Sequence, residues 1–553
     1  MNKKRFYQKS NIKKSENTIK NDNSILSNDY KDIIKSQSYI GKKGYTIPKS
    51  ILSKEDEEFL RKDLLVKPQV FGANYGGQAE NAEFPVFREN TNKIYIPRFY
   101  GIQRYGVPNK TDIQTGHDIS VEFSKQLRDY QIEIVDKYIN YVSTPICSGS
   151  SNNGSGAILE VFCGAGKTVI ANKIISILKK KTLILVHKEF LMNQWIERIE
   201  EFLPGAKIGK IQAQVFDIED KDIVIGMIQT LYDKEYSSDT FSSFGLTIID
   251  EVHRIGSEQF SKTLFKTITP YMLGISATVD RKDKLTKILY MFIGEKIYSK
   301  KREADDLVCV RAINYHANDT EFNEVETDFR GNVKYSSMIV KLCDYGPRSD
   351  FIIRIIKDLI SEEPSNQIMI LCHNRSLLSY LYEGINHRNI ASVGYYVGGM
   401  KQKNLQETES KCIVLATYAM AAEALDIKSL NTLVMVTPKT DITQSVGRIL
   451  REKHENPIIV DIIDSHDIFQ NQWAQRRRFY KKSNYRIRQI DSKNYTNMSI
   501  DWQEDELWRR VFEPNLTDCS NKKDSDDEGI SQLKSNVIGK CLINIAGLDE
   551  VDN

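Results

Sequence analysis

Two rhythms of apolar residues alternate along most of this chain. Short continuous apolar runs, the pattern of strands buried on both faces, occur at AILEVF (157–162), TLILV (182–186), DIVIGMI (222–228), LTII (246–249) and YMLGIS (271–276). Apolar positions at helical spacing lie between them, in LRDYQIEIVDKYINYV (127–142), VIANKIISILKKK (169–181) and the later part of 182–203. A second series starts with a helix over 351–360 and a strand over 367–373, then a helix over 376–385. Strands over 391–397, 411–419 and 431–438 follow, then a helix over 443–452 and a strand over 457–464. Strands alternating with helices at this spacing predict an α/β protein with two parallel sheets in tandem, helices on both faces and a cleft between the lobes.

The flanks are less regular. Residues 1–38 are rich in Lys, Asn and Ser with little apolar periodicity, which predicts a disordered basic tail; a nucleic-acid or targeting arm is the alternative. Residues 39–123 carry short apolar pieces broken by Gly and Pro, an N-terminal accessory module that is β-rich or mixed. Within it, KIYIPRFYGIQRYGVP (93–108) mixes aromatic and basic residues, which suits either a small core or a stacking track for a nucleic-acid strand. The first lobe is expected over 124–300, a linker over 301–345, the second lobe over 346–490, and a partly disordered extension over 491–553.

Composition narrows the function classes. Net charge is +3, from 77 basic and 74 acidic residues, so any nucleic-acid surface has to be a local patch. One such stretch is QRRRFYKKSNYRIR (475–488), with seven basic residues and no acid; a solvated helix face and a phosphate-contacting surface are the two readings. The eight cysteines are scattered without a C-x-x-C pair, which favours reduced thiols in an intracellular, soluble protein. No apolar run approaches membrane-spanning length.

The candidate chemistry clusters at strand ends. Val161 and Phe162 close a strand, and Cys163-Gly164-Ala165-Gly166-Lys167-Thr168 leads directly into a helix. A small-residue loop at a helix N-terminus cradles phosphates with backbone N–H groups; Lys167 supplies a fixed cation, and the Thr168 hydroxyl suits Mg²⁺. Val161 stands where the full phosphate-loop pattern has its first glycine. Asp250, Glu251 and His253 follow the apolar run LTII. A carboxylate there can complete the Mg²⁺ shell, and an adjacent one can orient or deprotonate a water. Ser276 and Thr278 offer hydroxyls after another strand, suited to relaying nucleotide state. In QSVGRILR, Gln444, Arg448 and Arg451 share a short segment, with the two arginines on one face of a predicted helix. Guanidiniums from the second lobe suit charge stabilisation on a transferred phosphoryl group.

In order and spacing, these segments resemble the superfamily 2 helicases over roughly residues 120–490. GAGKT, DEVH, SAT and QSVGRILR are similar to motifs I, II, III and VI of that family. VHKEFLMNQW (186–195) and GMIQTL (226–231) are similar to Ia and Ib, and TYAMAAEALDI (417–427) to V. DEVH with SATVDRKD resembles the XPB-like branch. The N-terminal block GYTIPKSIL (44–52) and LLVKPQVFG (64–72), with the compact size, most resembles the transcript-release helicases of poxviruses and related large cytoplasmic DNA viruses. The resemblance implies two RecA-like lobes, ATP and Mg²⁺ as cofactors, and DNA or RNA lying across both lobes. It implies adenine reading by Gln131 and a ribose contact by Asp426, with Ala424 where motif V usually has glycine. A viral setting would place the protein in host cytoplasm or virion, beside a transcription complex, with a monomer favoured. A remodelling or scaffold subunit with little unwinding activity is the alternative.

Overall fold

The computed structural model describes residues 26–67, 83–143, 156–162, 164–237, 239–252, 258–279, 285–300, 308–423, 427–450, 454, 456–501 and 505–514. Two eight-stranded sheets dominate it. The first has the order Val215–Phe216, Ile208–Gln212, Ile223–Met227, Thr182–Val186, Leu246–Asp250, Tyr271–Ser276, Gly156–Val161, Lys296–Lys300. All neighbours are parallel except the hairpin pair at the first edge. Central strands such as Thr182–Val186 and Leu246–Asp250 are buried at every position, which is why they read as unbroken apolar runs. Register pairs Ser276 with Glu160 and Asp250 with Ile275, so three strands end level.

The second sheet has the order Val393–Tyr396, Ile413–Thr417, Gln367–Cys372, Leu430–Met435, Ile458–Asp464, Cys309–Tyr315, Arg486–Asp491, Arg509–Phe512. It is parallel up to its last, antiparallel pair. The linker expected over 301–345 is corrected here. Cys309–Tyr315 lies inside this sheet between two parallel strands, and the helix Tyr335–Asp344 buries Met338, Ile339 and Leu342 in the same core. A strand of seven residues interrupted by Arg311 and Asn314 carries no clean apolar run; Arg311 is buried with Glu362 as its partner. Arg486–Asp491 and Arg509–Phe512 carry the lobe past the boundary at 490.

The N-terminal region also departs from expectation. Residues 28–37 form a helix capped by the Ser27 side chain, with Ile34 buried, so this part of the expected disordered tail is structured; residues 1–25 lie outside the described residues. The five-stranded sheet of residues 39–111 and the first lobe share one hydrophobic cluster, which joins Tyr45, Ile94 and Tyr105 to Leu183, Ile249 and Phe292. This region meets the amino ends of the lobe's strands. Arg98 donates to the carbonyls of Thr269 and Pro270 at 3.0 and 3.1 Å, and His117 N–H to Ser243 O at 2.8 Å. Arg98, Tyr100 and Tyr105 are buried, so the aromatic–basic stretch 93–108 is mainly core rather than an open stacking track.

Candidate functional site

The chemistry gathers at the carboxyl ends of the first sheet. After Gly156–Val161 the chain turns through Gly164 and Gly166, with φ of 88° and 81°, into the helix Lys167–Leu178. Glycine is required at 166: a Cβ there would lie 2.6 Å from Gln131 Nε2. Gln131 Nε2 donates to Ala165 O at 2.8 Å, and its Oε1 accepts from Arg128 N–H at 3.0 Å. Tyr130 Oη also donates to Ala165 O, at 3.3 Å. The helix Asp129–Ser143 thus braces the loop from the side.

Lys167 Nζ forms an ion pair with Glu251 Oε1. Glu251 is held at φ 49°, a left-handed conformation that costs a non-glycine residue about 1–3 kcal/mol. Its N–H donates to Asp250 Oδ1 at 2.8 Å, a bond that this turn permits. Trp195 Nε1–H donates to the other oxygen, Asp250 Oδ2, at 2.9 Å. Asp250 is buried, and burial pushes its carboxyl above the ordinary value, helped by the Glu251 charge; Lys167 pulls the other way. Ser276 Oγ donates to Thr278 O at 2.7 Å and lies 3.5 Å from Glu251 Oε2, so the S-A-T turn touches the acid pair.

Two further residues entered no sequence-based role at this site. Trp195 sits on the helix Glu189–Phe202, where a buried indole needs an acceptor and finds Asp250. Glu160, one position before Val161, accepts from Val279 N–H at 2.9 Å, Lys296 Nζ at 3.0 Å and Ser299 Oγ at 2.5 Å. It ties the phosphate-loop strand to the S-A-T turn and to the last strand before the second lobe. A lone Glu inside an apolar run gives no signal of three partners on separate segments.

In the second lobe, the helix expected over 443–452 is four residues long, Thr443–Val446. Arg448 lies in the turn after it, with its N–H on Ser445 O at 3.2 Å. Gln444 and Arg448 are half-buried beyond the carboxyl end of Leu430–Met435. Phe190 of the first lobe packs against a buried cluster of its own lobe and against the one containing Val446 and Ile449, which brings this segment to the face between lobes. Cys163, His253, Asp426 and Arg451 lie outside the described residues.

The basic stretch 475–488 is divided by burial. Arg476 is buried against Asp461 with bonds of 2.8 and 2.9 Å, and Arg488 is buried with Glu513 as its partner. Arg477, Arg478, Lys481 and Lys482 are exposed.

Residues 124–281 match the family described as "Type III restriction enzyme, res subunit", and residues 352–453 the "Helicase conserved C-terminal domain". A protein of Acanthamoeba polyphaga mimivirus named "putative ATP-dependent RNA helicase" is 33% identical over 84% of this chain and 88% of its own length. The chain belongs to the superfamily 2 helicases. Its activity class is that of a nucleic-acid helicase or translocase. A protein of African swine fever virus (isolate Pig/Kenya/KEN-50/1950) with the same form of name is 28% identical over 68% of this chain and 78% of its own length. The "DNA 3'-5' translocase" of Sulfurisphaera tokodaii (strain DSM 16993 / JCM 10545 / NBRC 100140 / 7) is 33% identical over 32% of this chain and 36% of its own length. The expected likeness to viral helicases and to the XPB-like branch is met. Among the described residues no helix is long and apolar enough to cross a membrane.

Proposed function

We propose that this helicase hydrolyses ATP with Mg²⁺ at the carboxyl ends of the first sheet and couples turnover to movement along nucleic acid or displacement of a strand. The observation that carries the reading is the contact of Lys167 with Glu251 beside a buried Asp250 whose two oxygens are already oriented. A buried carboxylate next to a second acid stays ionised only beside a cation, which is the donor chemistry that Mg²⁺ takes. Mg²⁺ held through substrate phosphates needs only one or two carboxylates, so the absence of a cluster of three or more His, Cys, Asp or Glu among the described residues fits.

Asp250 and Thr168 are the residues to hold the ion, which when bound neutralises charge on the phosphates. Lys167 leaves Glu251 to meet the phosphates, which frees Glu251 to orient and deprotonate the attacking water. Gly164, Ala165 and Gly166 shape the backbone cradle between Phe162 and the helix, and Gln131 braces it from the nucleobase side that the family resemblance assigns to it. Gln444 and Arg448, with Arg451, approach from the second lobe to stabilise charge on the transferred group. Ser276 and Thr278 report the state of Glu251 to the inter-lobe connection. The ribose role of Asp426 rests on resemblance alone. Displacement of RNA during viral transcription, by a monomer, is the finer biological reading.

Steady-state ATPase activity measured with single- and double-stranded DNA, RNA and hybrid tests the proposal. Stimulated, Mg²⁺-dependent turnover that disappears in Lys167→Ala supports it. Turnover that persists unchanged in that variant overturns it, and a wild type without turnover favours the scaffold reading.

A further inference from the structure

The helix Asp467–Lys482 connects the strands Ile458–Asp464 and Arg486–Asp491, which both pair in parallel with Cys309–Tyr315 between them. A crossover helix returns antiparallel to such strands, so its last turns lie at the amino ends of the sheet. Contacts agree with that placement. Arg486 N–H donates to Val308 O at 3.0 Å, and Lys481 Nζ lies 5.8 Å from the ring of Phe512, which pairs with Ile487 at the start of its strand. Gln444 and Arg448 follow the opposite, carboxyl end of the sheet. The 16-residue helix is about 24 Å long, which sets the separation between the two ends.

Helical spacing sorts this element into two faces. Phe469, Trp473, Arg476 and Tyr480 point into the lobe, whereas Arg477, Arg478, Lys481 and Lys482 are exposed on the other side. Among the described residues none of those four cations has an acidic partner. One or two cations suffice to complement the C-terminal end of a helix dipole. Four on the last two turns repel one another, with like charges at i,i+4 in the pairs 477/481 and 478/482. A polyanion relieves that repulsion. No large apolar side chain is exposed on this helix, whereas the core of a protein interface is built around apolar and aromatic anchors. Backbone contact with nucleic acid needs charge without such anchors.

We propose that this face is a second nucleic-acid contact, an exosite for the phosphodiester backbone of RNA or DNA, on the end of the second lobe away from the cleft. The proposal rests on the nucleic-acid motor reading above. A strand engaged in the cleft reaches the exosite only if it is long enough to span the lobe.

The test replaces Arg477, Arg478, Lys481 and Lys482 together with Gln in the full chain, leaving Arg476 and its buried pair intact. Binding to RNA and to DNA is followed by anisotropy at rising salt, with strands shorter and longer than about 24 Å. For long single strands the slope of log affinity against log salt is expected to flatten by about 2.8, from about 0.7 per phosphate contact. Between about 50 and 200 mM salt, the wild type then loses about fifty-fold more affinity than the variant. The double variant Lys481→Gln/Lys482→Gln loses half of that slope, about 1.4. Short strands bind both proteins alike, and the polymer with the larger change identifies the natural occupant. An unchanged slope with nucleic-acid stimulation intact overturns the exosite alone. Equal loss for short and long strands also overturns it, because the cations then belong to the cleft track. A wild type whose turnover ignores every nucleic acid overturns the motor reading itself, and this is seen without any variant.

Discussion

Replacing Trp195 by Phe removes one hydrogen bond and keeps an aromatic ring at a buried position, at the cost of the small void left by the rest of the indole. The lost bond is the 2.9 Å donation to Asp250 Oδ2, which favours the ionised carboxylate. A hydrogen bond to a charged group contributes about 1.5–3 kcal/mol, and 1.4 kcal/mol is about a factor of ten. Asp250 already holds its proton above the ordinary value through burial and the Glu251 charge, so the substitution pushes it further in the same direction. On the acid side of the pH–rate profile, nucleic-acid-stimulated turnover is expected to fall by about 10- to 100-fold. The rate recovers at higher pH, so the acid limb moves upward while the plateau is nearly kept. The stability sign follows from the same shift. A raised carboxyl contributes to folding below its unfolded value of 3.8 and loses that contribution as pH rises through the folded value. Bound Mg²⁺ therefore raises the melting temperature more on the alkaline side of the folded Asp250 titration, where the carboxylate is ionised, than on its acid side, in wild type and variant alike. The assay is a pair of pH profiles at saturating Mg²⁺, with thermal unfolding to confirm packing. A uniform rate loss with an unmoved acid limb would refute the argument, since Trp195 would then only fill space.

Four further substitutions separate the roles. Lys167→Ala is expected to weaken ATP binding and abolish turnover, because it removes the cation that faces Glu251; binding of a fluorescent ATP analogue and phosphate release check both. Glu251→Gln keeps the hydrogen-bonding shape but cannot take a proton, so turnover falls by about 10²–10⁴-fold while ATP is still bound; much weaker ATP binding would make Glu251 structural. Glu160→Gln loses the charge that gathers Val279, Lys296 and Ser299. Basal turnover should hold while nucleic-acid stimulation drops by about fivefold or more, the scale of a coupling energy between sites; equal loss of both rates would contradict it. Arg476→Ala leaves Asp461 buried without its partner and is expected to cost about 3–5 kcal/mol, read as a lower urea midpoint.

Most strands were legible because parallel sheets bury both faces and leave apolar runs that need no alternation. Cys309–Tyr315 failed that test for a physical reason. Its seven residues include Arg311 and Asn314, which sequence reads as polar punctuation. Arg311 is buried with Glu362, and Asn314 Oδ1 accepts from Gln489 Nε2 at 2.9 Å, so both polar groups are satisfied inside the lobe. Partners at 362 and 489 are too distant in sequence to be paired by pattern. The shared core between the N-terminal region and the first lobe was hidden in the same way, since nothing local in Tyr45 or Ile94 indicates that it packs with Phe292.

The same limit explains which parts of the site could be read. Lys167 was found because it follows a small-residue loop at a helix N-terminus, and Asp250 and Glu251 because they stand at the end of an apolar strand, where a charge is costly unless function or a partner offsets it. Asp250, however, is oriented by Trp195, 55 positions away, and by a left-handed turn at Glu251 that no propensity predicts. The seven basic residues at 475–488 pose the converse problem. Charge alone makes them equivalent, but two are interior counter-ions, four form an open face, and Arg486 is half-buried beside Glu513. Neutralising the whole stretch would confuse a folding defect with a binding defect, because Arg476 holds Asp461 while Arg477 beside it is exposed. Burial is therefore the quantity that turns a basic run into distinct experiments: Arg476 reports on the integrity of the second lobe, and its four exposed neighbours report on phosphate contacts.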